Sequence, residues 1–404
     1  MRADMPIPKD RNEQPVMMEP ALIREGSRDR GELNDLALEL AAQSAGLHRS
    51  LPAGLRGALA ELVRSMNCYY SNLIEGHDTH PVDIERALLD DFSSDPRKRD
   101  LQLEAKAHIA VQRWIDSGAI RGRAVCADTL REIHRRFCEL LPDELLWVTA
   151  RNTERRMRVV PGSLREDDVQ VGGHVAVSPG AIARFLARFE EVYARPGKSE
   201  FIVALPAAHH RLLWIHPFLD GNGRVARLMS HAMLLDALGS GGVWSISRGL
   251  ARREAEYKAH LARCDLPRRN DLDGRGSLSE EELEKFSRFF LETCLDQIRF
   301  MEGLMEPNRL RERILLWVEE EVRLGGLAQK SGSVLEAILY RGELPRSDVP
   351  GIIQATDRHA RRVIASLVDR KVLTSENTRA PLRLVFPAEL AHRWMPGLFP
   401  AKTT

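Results

Sequence analysis

Ile215-His216-Pro217-Phe218-Leu219-Asp220-Gly221-Asn222-Gly223-Arg224-Val225-Ala226-Arg227 is the stretch on which the reading of this 404-residue chain turns. A largely apolar helix, about Pro206 to Trp214, ends near His216-Pro217. A tight loop, Asp220-Gly221-Asn222-Gly223, then opens a second helix running to about Leu238. The two glycines let the backbone approach a ligand and adopt positive φ. Free N–H groups at the start of the second helix make an anion-binding concavity. Arg224 and Arg227 lie three apart, so both guanidinium groups project from one face of its first turns. Phosphate needs such N–H groups together with cationic forks. Asp220 is a hard oxygen ligand suited to Mg²⁺ bridging phosphates, and His216 can deprotonate an attacking hydroxyl. Together these residues describe a phosphoryl- or nucleotidyl-transfer site. The loop lacks the Lys-Ser/Thr of a Walker A sequence.

Outward from this stretch the pattern is helical almost everywhere. Leu103, Ala107, Val111 and Ile115 recur every four residues, and Leu130, Ile133, Phe137 and Leu140-Leu141 at three and four. Phe185, Phe189 and Val192 form a stripe after Ser178-Pro179, which reads as a cap with proline at the first helical position. Phe286, Phe289-Phe290, Cys294 and Leu295 form another, entered through a capping-box pattern at Ser279–Glu282. One region breaks the regime. Met157–Gly162 and Val169–Val177 are short β-type runs between turn residues and read as a hairpin. After Gly325-Gly326 come three helices (Val334–Tyr340, near Arg346–Gln354, and Ala355–Arg370), then strands at Val372–Thr374 and Leu382–Phe386. That is winged helix-turn-helix order. From Ser331 onward the chain carries 11 Lys/Arg against 7 Asp/Glu, so the remainder is slightly acidic.

The bulk properties bound the class. Apolar content is 43% and net charge +1, ordinary for a globular protein and silent about partners. No apolar run is long enough to span a bilayer, and MRADMPIPKDRNEQ lacks the apolar core of a signal peptide. Cys68, Cys126, Cys138, Cys264 and Cys294 are scattered without CxxC spacing, which points to reduced thiols and a cytoplasmic protein. The expected division is a flexible N-terminus over 1–29, a helical region over 30–97, a catalytic core with following helices over 98–327, and a winged-helix domain over 331–404.

The sequence from His216 to Arg227 matches the Fic motif HPFxDGNGRxxR at every fixed position, and the chain resembles the Fic family from about Ser71 to Leu304. The resemblance implies a mainly α fold with a β-hairpin flap, ATP as nucleotide donor, and a Tyr, Thr or Ser hydroxyl of a protein as acceptor, the chain itself included. It makes His216 the general base and Asp220 the Mg²⁺ ligand at the α- and β-phosphates. Gly221, Asn222, Gly223 and Arg224 cradle those phosphates, and Arg227 takes the γ-phosphate. Gly162-Ser163-Leu164-Arg165 and Val169-Gln170-Val171-Gly172-Gly173 resemble the flap that clamps the target by strand addition, with Gly162, Arg165, Val171, Gly172 and Gly173 as docking residues. Gln170 stands where the family has an aromatic. Tyr257 is the one match to the family's tyrosine-rich helix near the adenine.

Ser71-Asn72-Leu73-Ile74-Glu75-Gly76 ends a strongly helical stretch. A carboxylate there opposes the negative end of the helix dipole and wants a cationic partner. Ser71, Glu75 and Gly76 also match the Fic inhibitory motif [S/T]xxxE[G/N]. That resemblance implies that Glu75 pairs with Arg227, displaces the γ-phosphate and leaves ATP misaligned.

Other clusters read as structural. Asp271, Asp273, Gly276, Leu278 and Glu282 follow an EF-hand frame, but Arg275 takes the fifth position and opposes Ca²⁺, which leaves a helix-capping turn. His77 and His80, and His209-His210, lack a third metal ligand. Arg358, Arg361 and Arg362, with Arg370, lie on the expected recognition helix. They suit DNA contacts, and equally a winged helix used for protein contacts or a homodimer. The expected function is therefore an autoinhibited protein adenylyltransferase. The alternatives are a nucleotide-sensing DNA-binding transcriptional regulator and a Fic enzyme using UTP or a phosphocholine carrier.

Overall fold

Apolar spacing of three and four residues along the chain becomes helix, because that period places one stripe of side chains on a common face. The computed structural model describes residues 9–149, 154–194 and 197–400. Its first five helices are α1 (Arg30–Ser50), α2 (Ala53–Ile74), α3 (Pro81–Leu88), α4 (Pro96–Asp116) and α5 (Ala127–Glu139). Two short ribbons follow, β1 (Trp147–Thr149) with β2 (Arg156–Arg158) and β3 (Gln170–Val171) with β4 (His174–Val175). Then come α6 (Ile182–Tyr193), α7 (Lys198–Ile215), α8 (Asn222–Leu238), α9 (Ser247–Arg252), α10 (Glu254–Cys264), α11 (Glu280–Met305) and α12 (Pro307–Arg323). The central pair is α7 packed on α8, with α1 and α11 against α7, α5 and α4 against α8, and α9 against α2. Among the described residues no helix is long and apolar enough to cross a membrane.

The structure departs from the sequence reading in several places. The run Met157–Val160 does not pair with Val169–Val177; its strand pairs with Trp147–Thr149, so there are two ribbons and not one hairpin. Strand registry needs a partner across space, which the intrinsic β-pattern of either run leaves open. Helix α7 begins eight residues before Pro206, because Ile202, Val203, Ala204 and Leu205 are buried and carry the apolar face upstream of the proline. The third departure is the N-terminal segment, expected to be loosely attached. Its residues 1–8 lie outside the described part, but from Lys9 it is docked. Met18, Ala21 and Ile23 are buried, and Arg11 bonds Asp168 at 2.7 Å and the Ala176 carbonyl at 2.9 Å. The fully buried Arg211 donates to the Pro20 carbonyl at 2.8 Å, so this segment supplies the acceptor that a buried guanidinium requires.

Half of the capping box read at α11 forms, since the Ser279 N–H donates to the Leu266 carbonyl at 3.0 Å and not to Glu282. Ser279 Oγ accepts from the Glu282 N–H at 3.2 Å, and the buried Asp273 accepts from Ser279 Oγ at 2.8 Å and from the Glu281 N–H at 3.0 Å. The acidic loop is thus a capping turn. At Ser178 the reading differs: its hydroxyl bonds Glu13 and the Arg11 N–H and caps no helix.

The C-terminal part runs α13 (Ser331–Arg341), β5 (Glu343–Leu344), α14 (Val349–Ile352), α15 (Asp357–Asp369), β6 (Leu373–Thr374), β7 (Leu382–Leu384) and α16 (Ala391–Trp394). The strands form an antiparallel sheet in the order β5-β7-β6. Val334, Leu335, Ile338, Val363 and Leu367 fill its core. This unit rests on α2. Gly54 meets the Gly342 backbone so closely that a side chain there would clash, and Tyr70 donates to the Leu398 carbonyl at 2.9 Å.

A chain starting at Arg30 should unfold at a temperature several degrees lower than the full chain, since it exposes the groove under Met18 and strips Arg211 Nε and Nη2 of their shared acceptor. Thermal unfolding followed by circular dichroism checks this; an unchanged midpoint would show that the docked segment contributes nothing.

Candidate active site

Helix α7 ends because His216 turns left-handed, with φ +51°, and Pro217 follows. Asn222 then ties the loop to itself. Its Oδ1 accepts from the Phe218 N–H at 3.0 Å and its Nδ2 donates to the Phe218 carbonyl at 2.8 Å. Gly221 sits at φ +79°, the left-handed value that glycine adopts without strain, and α8 starts directly after it with no side-chain cap. The first N–H groups of α8 therefore have no side-chain cap and make a place suited to an anion. The Asn222 side chain shapes the loop, so any contact it offers a phosphate comes from its backbone.

Two residues fix the loop from outside. Arg165 is buried; its Nε donates to the His216 carbonyl at 2.7 Å, its Nη1 to the Asp167 carbonyl at 2.9 Å, and its backbone N–H to the Pro217 carbonyl at 3.0 Å. Burial lowers its pKa to about 10, so it stays charged at neutral pH. Arg165 was expected on the target-docking surface, but it faces inward because backbone carbonyls at the end of α7 need donors. Gly162 is likewise internal, its N–H donating to His134 Nδ1 at 2.9 Å, and His134 stacks on Phe218 with ring centroids 4.1 Å apart. Nothing in the sequence distinguished His134 from other helix residues.

His216 holds its ring by Nδ1, 3.2 Å from the Leu213 carbonyl. A carbonyl only accepts, so Nδ1 carries the proton and Nε2 keeps a lone pair. Burial pushes the imidazole pKa down to about 4, which keeps this tautomer neutral at ordinary pH. The ring can thus receive a proton without first losing one.

Both arginines of α8 are buried and held by carboxylates. Arg227 donates Nε to Ser71 Oγ at 2.8 Å and Nη2 to the Ser71 carbonyl at 3.1 Å, and Nη2 also pairs with Glu75. Burial disfavours the charge on Glu75, but Arg227 more than offsets it and the pKa is lowered. The Glu75 carboxylate lies over the first turn of α8, where a methyl group on Gly223 would overlap it. It occupies ground that an anionic ligand of that helix end would use. Arg224 pairs with Glu104 of α4 at 3.0 Å and lies over the Phe137 ring. Glu104 also meets His77 Nδ1 at 2.6 Å, and that hydrogen bond raises the His77 pKa. Sequence reasoning missed Glu104. The stripe of α4 is continuous without it, and only a count of unexplained charges beside buried positions would have raised it.

The remaining expected residues fall as follows. Asp220 is exposed at the loop, and its hard carboxylate oxygen is of the type that suits Mg²⁺. Val171, Gly172 and Gly173 stand at the exposed β3–β4 turn, and His174 beside them bonds the Trp214 carbonyl at 2.7 Å, next to His216. Tyr257 is interior. It is 2% exposed and its hydroxyl meets His209 Nε2 at 2.7 Å, because it shares the buried face of α10 with Cys264. His209 and His210 are hydrogen-bonded core residues, to Ser230 and Tyr257 and to Asp265. Arg358, Arg361 and Arg362 are exposed on α15, far in sequence from the loop.

Residues 124–234 match the Fic/DOC family, a span that contains His216–Arg227, Arg165 and His134. The chain is 28% identical over 213 residues to the protein adenylyltransferase Fic of Drosophila ananassae, covering 52% of this chain and 39% of that protein. It is 28% identical over 215 residues to the protein of the same name in Drosophila erecta, with the same coverage. The chain thus spans about two fifths of the length of these curated relatives. Its fold is similar to that of a Fic family protein from Desulfovibrio desulfuricans, with a TM-score of 0.50 at 17% identity, over 87% of this chain and 96% of the other.

In an NMR titration the His216 imidazole should change charge near pH 4, well under the ordinary value of about 6.5. Arg165→Met should bring the midpoint back upward, by opening the site to water and removing a nearby cation. A His216 midpoint near 6.5 in the unaltered chain would contradict the buried neutral ring.

Proposed function

We propose that this chain is a protein adenylyltransferase, moving AMP from ATP to a Tyr, Thr or Ser hydroxyl of a protein, and that Glu75 holds it inactive. The observation that carries the reading is the neutral His216 ring beside the uncapped, doubly cationic start of α8. The match of that region to the Fic/DOC family and the name of the curated relatives support the reaction class.

In this mechanism the first N–H groups of α8 and Arg224 hold the α- and β-phosphates, and Arg227 takes the γ-phosphate. Mg²⁺ at Asp220 would neutralise charge on the phosphate oxygens. The β3–β4 ribbon, with Val171 and Val175 exposed, offers an edge on which an extended target segment can lie near His216. His216 Nε2 takes the proton of the target hydroxyl as its oxygen attacks the α-phosphorus. The new P–O bond forms, the bond from the α-phosphorus to the bridging oxygen breaks, and pyrophosphate leaves. Glu75 prevents this while paired with Arg227, because it removes the γ-phosphate partner and sets a negative charge over the anion site.

A second reading concerns the C-terminal unit. Its helix–strand–helix–helix–strand–strand order and the exposed Arg358, Arg361 and Arg362 suit a winged helix that contacts DNA. Retardation of a mixed DNA pool by the full chain, weakened by added salt and by Arg358→Ala with Arg362→Ala, is the outcome expected of it. Unaltered mobility at low salt would leave the unit a protein-contact module.

Glu75→Gly should raise self-modification, measured as AMP added to the protein by mass spectrometry. The broken charge-assisted pair is worth roughly 1.5–3 kcal/mol, which corresponds to a ten- to hundredfold gain of order. His216→Ala in that background should lose about 10²–10⁴ in rate while keeping ATP affinity. Arg227→Ala should stay inactive, since it frees Glu75 but also loses the phosphate contact. Chelation by EDTA should abolish transfer. No gain from Glu75→Gly across a range of ATP concentrations would reduce the segment to a helix end.

A further inference from the structure

The two buried arginines of α8 are held in different ways. Arg227 gives both Nε and Nη2 to the end of α2, at Ser71 and Glu75. Its partners therefore leave if that segment moves. Arg224 gives Nη2 to Glu104 of α4, a helix that packs with α8, and the same nitrogen lies 3.1 Å from His77 Nδ1. Among the described residues, Nε of Arg224 has no acceptor although it is buried. A guanidinium pinned by one nitrogen, with its buried Nε unsatisfied next to an uncapped helix start, is oriented for an anion. The same Glu104 oxygen lies 2.6 Å from Nδ1 of His77, two residues after Glu75. Since a carboxylate accepts, Nδ1 is protonated there, and the carboxylate bridges the inhibitory segment to Arg224.

We infer that Glu104 is a positioning residue that aims Arg224 at the nucleotide phosphates, and that through His77 it is also a second tie holding the inhibitory segment against α8. The inference rests on the transferase reading for its kinetic consequences, although its binding consequence does not need catalysis. Release of the segment removes Glu75 and His77 together. Glu104 remains, and Arg224 keeps its orientation when Arg227 becomes free. The first tie blocks a phosphate partner. The second blocks none, so its loss changes only how often the segment is in place.

Three substitutions in the full-length chain test this, with Glu75→Gly as the active reference. In that background Glu104→Gln should raise KM for ATP about tenfold and leave kcat within about threefold, because it weakens a phosphate-orienting contact and leaves His216 untouched. Glu104→Asp keeps the charge on a shorter stem and should fall between, which also serves if the glutamine variant does not fold. A purely structural Glu104 would instead lower kcat, or the folded fraction, with KM unchanged, and that result would overturn the assignment. With Glu75 intact, His77→Asn should raise AMP transfer about three- to tenfold, whereas adding it to Glu75→Gly should change nothing. No rise in the first case, or an equal rise in both, would remove the second tie. If Glu75→Gly shows no transfer at all, the transferase reading fails. Titration with a fluorescent ATP analogue then decides the Glu104 claim alone, through weaker binding by Glu104→Gln or its absence.

Discussion

The start of α8 imposes the constraint on which the other features depend. A helix that begins on a left-handed glycine with no side-chain cap leaves several N–H groups unpaired, and here two buried guanidinium groups stand on the same turns. Such a place is costly to leave without negative charge. In this structure the charge comes from the protein's own carboxylates, Glu75 over the first turn and Glu104 at its side. Under the proposed function a polyphosphate would answer the same electrostatic demand, and Glu75 would compete with it.

The neutral state of the His216 ring is a consequence of packing. His216 is neutral because burial penalises its cation, and it presents Nε2 because Leu213 takes the other nitrogen. Its backbone is in turn anchored by Arg165, whose charge is spent on carbonyls at the end of α7. The loop therefore has little freedom of its own. Asn222 braces it from within, and His134 and Phe218 stack beneath it. Bracing of this kind holds the His216 imidazole in one orientation without further reordering.

Helix α2 links two parts of the molecule. Its C-terminal end delivers Ser71 and Glu75 to α8, while Gly54 and Tyr70 along its length meet Gly342 and the Leu398 carbonyl of the C-terminal unit. Glu75 thus sits at the end of an element that is braced elsewhere by the C-terminal unit.

Local chemistry made much of this readable from the chain. The spacing of glycines and arginines from His216 to Arg227 marked an anion site, the end of α8 at Leu238 followed from its pattern, and the C-terminal elements fell within a few residues of their expected places. Glu75 was suspect from its conflict with a helix dipole, and its partner was Arg227 as the family resemblance implied. What the chain alone left open were choices made across space. The β-run at Met157 took Trp147–Thr149 as its partner, Arg165 turned inward from an expected surface, Tyr257 went into the core, and a polar N-terminal segment docked to satisfy Arg211. Glu104 was invisible, being one carboxylate on a helix whose apolar stripe needed no explanation. Periodicity and turn residues are properties of neighbours in sequence, so they can be read there. The partner of a buried charge or an unpaired strand is settled only when distant elements pack, because the cost of leaving it unpaired is felt only once water has been excluded.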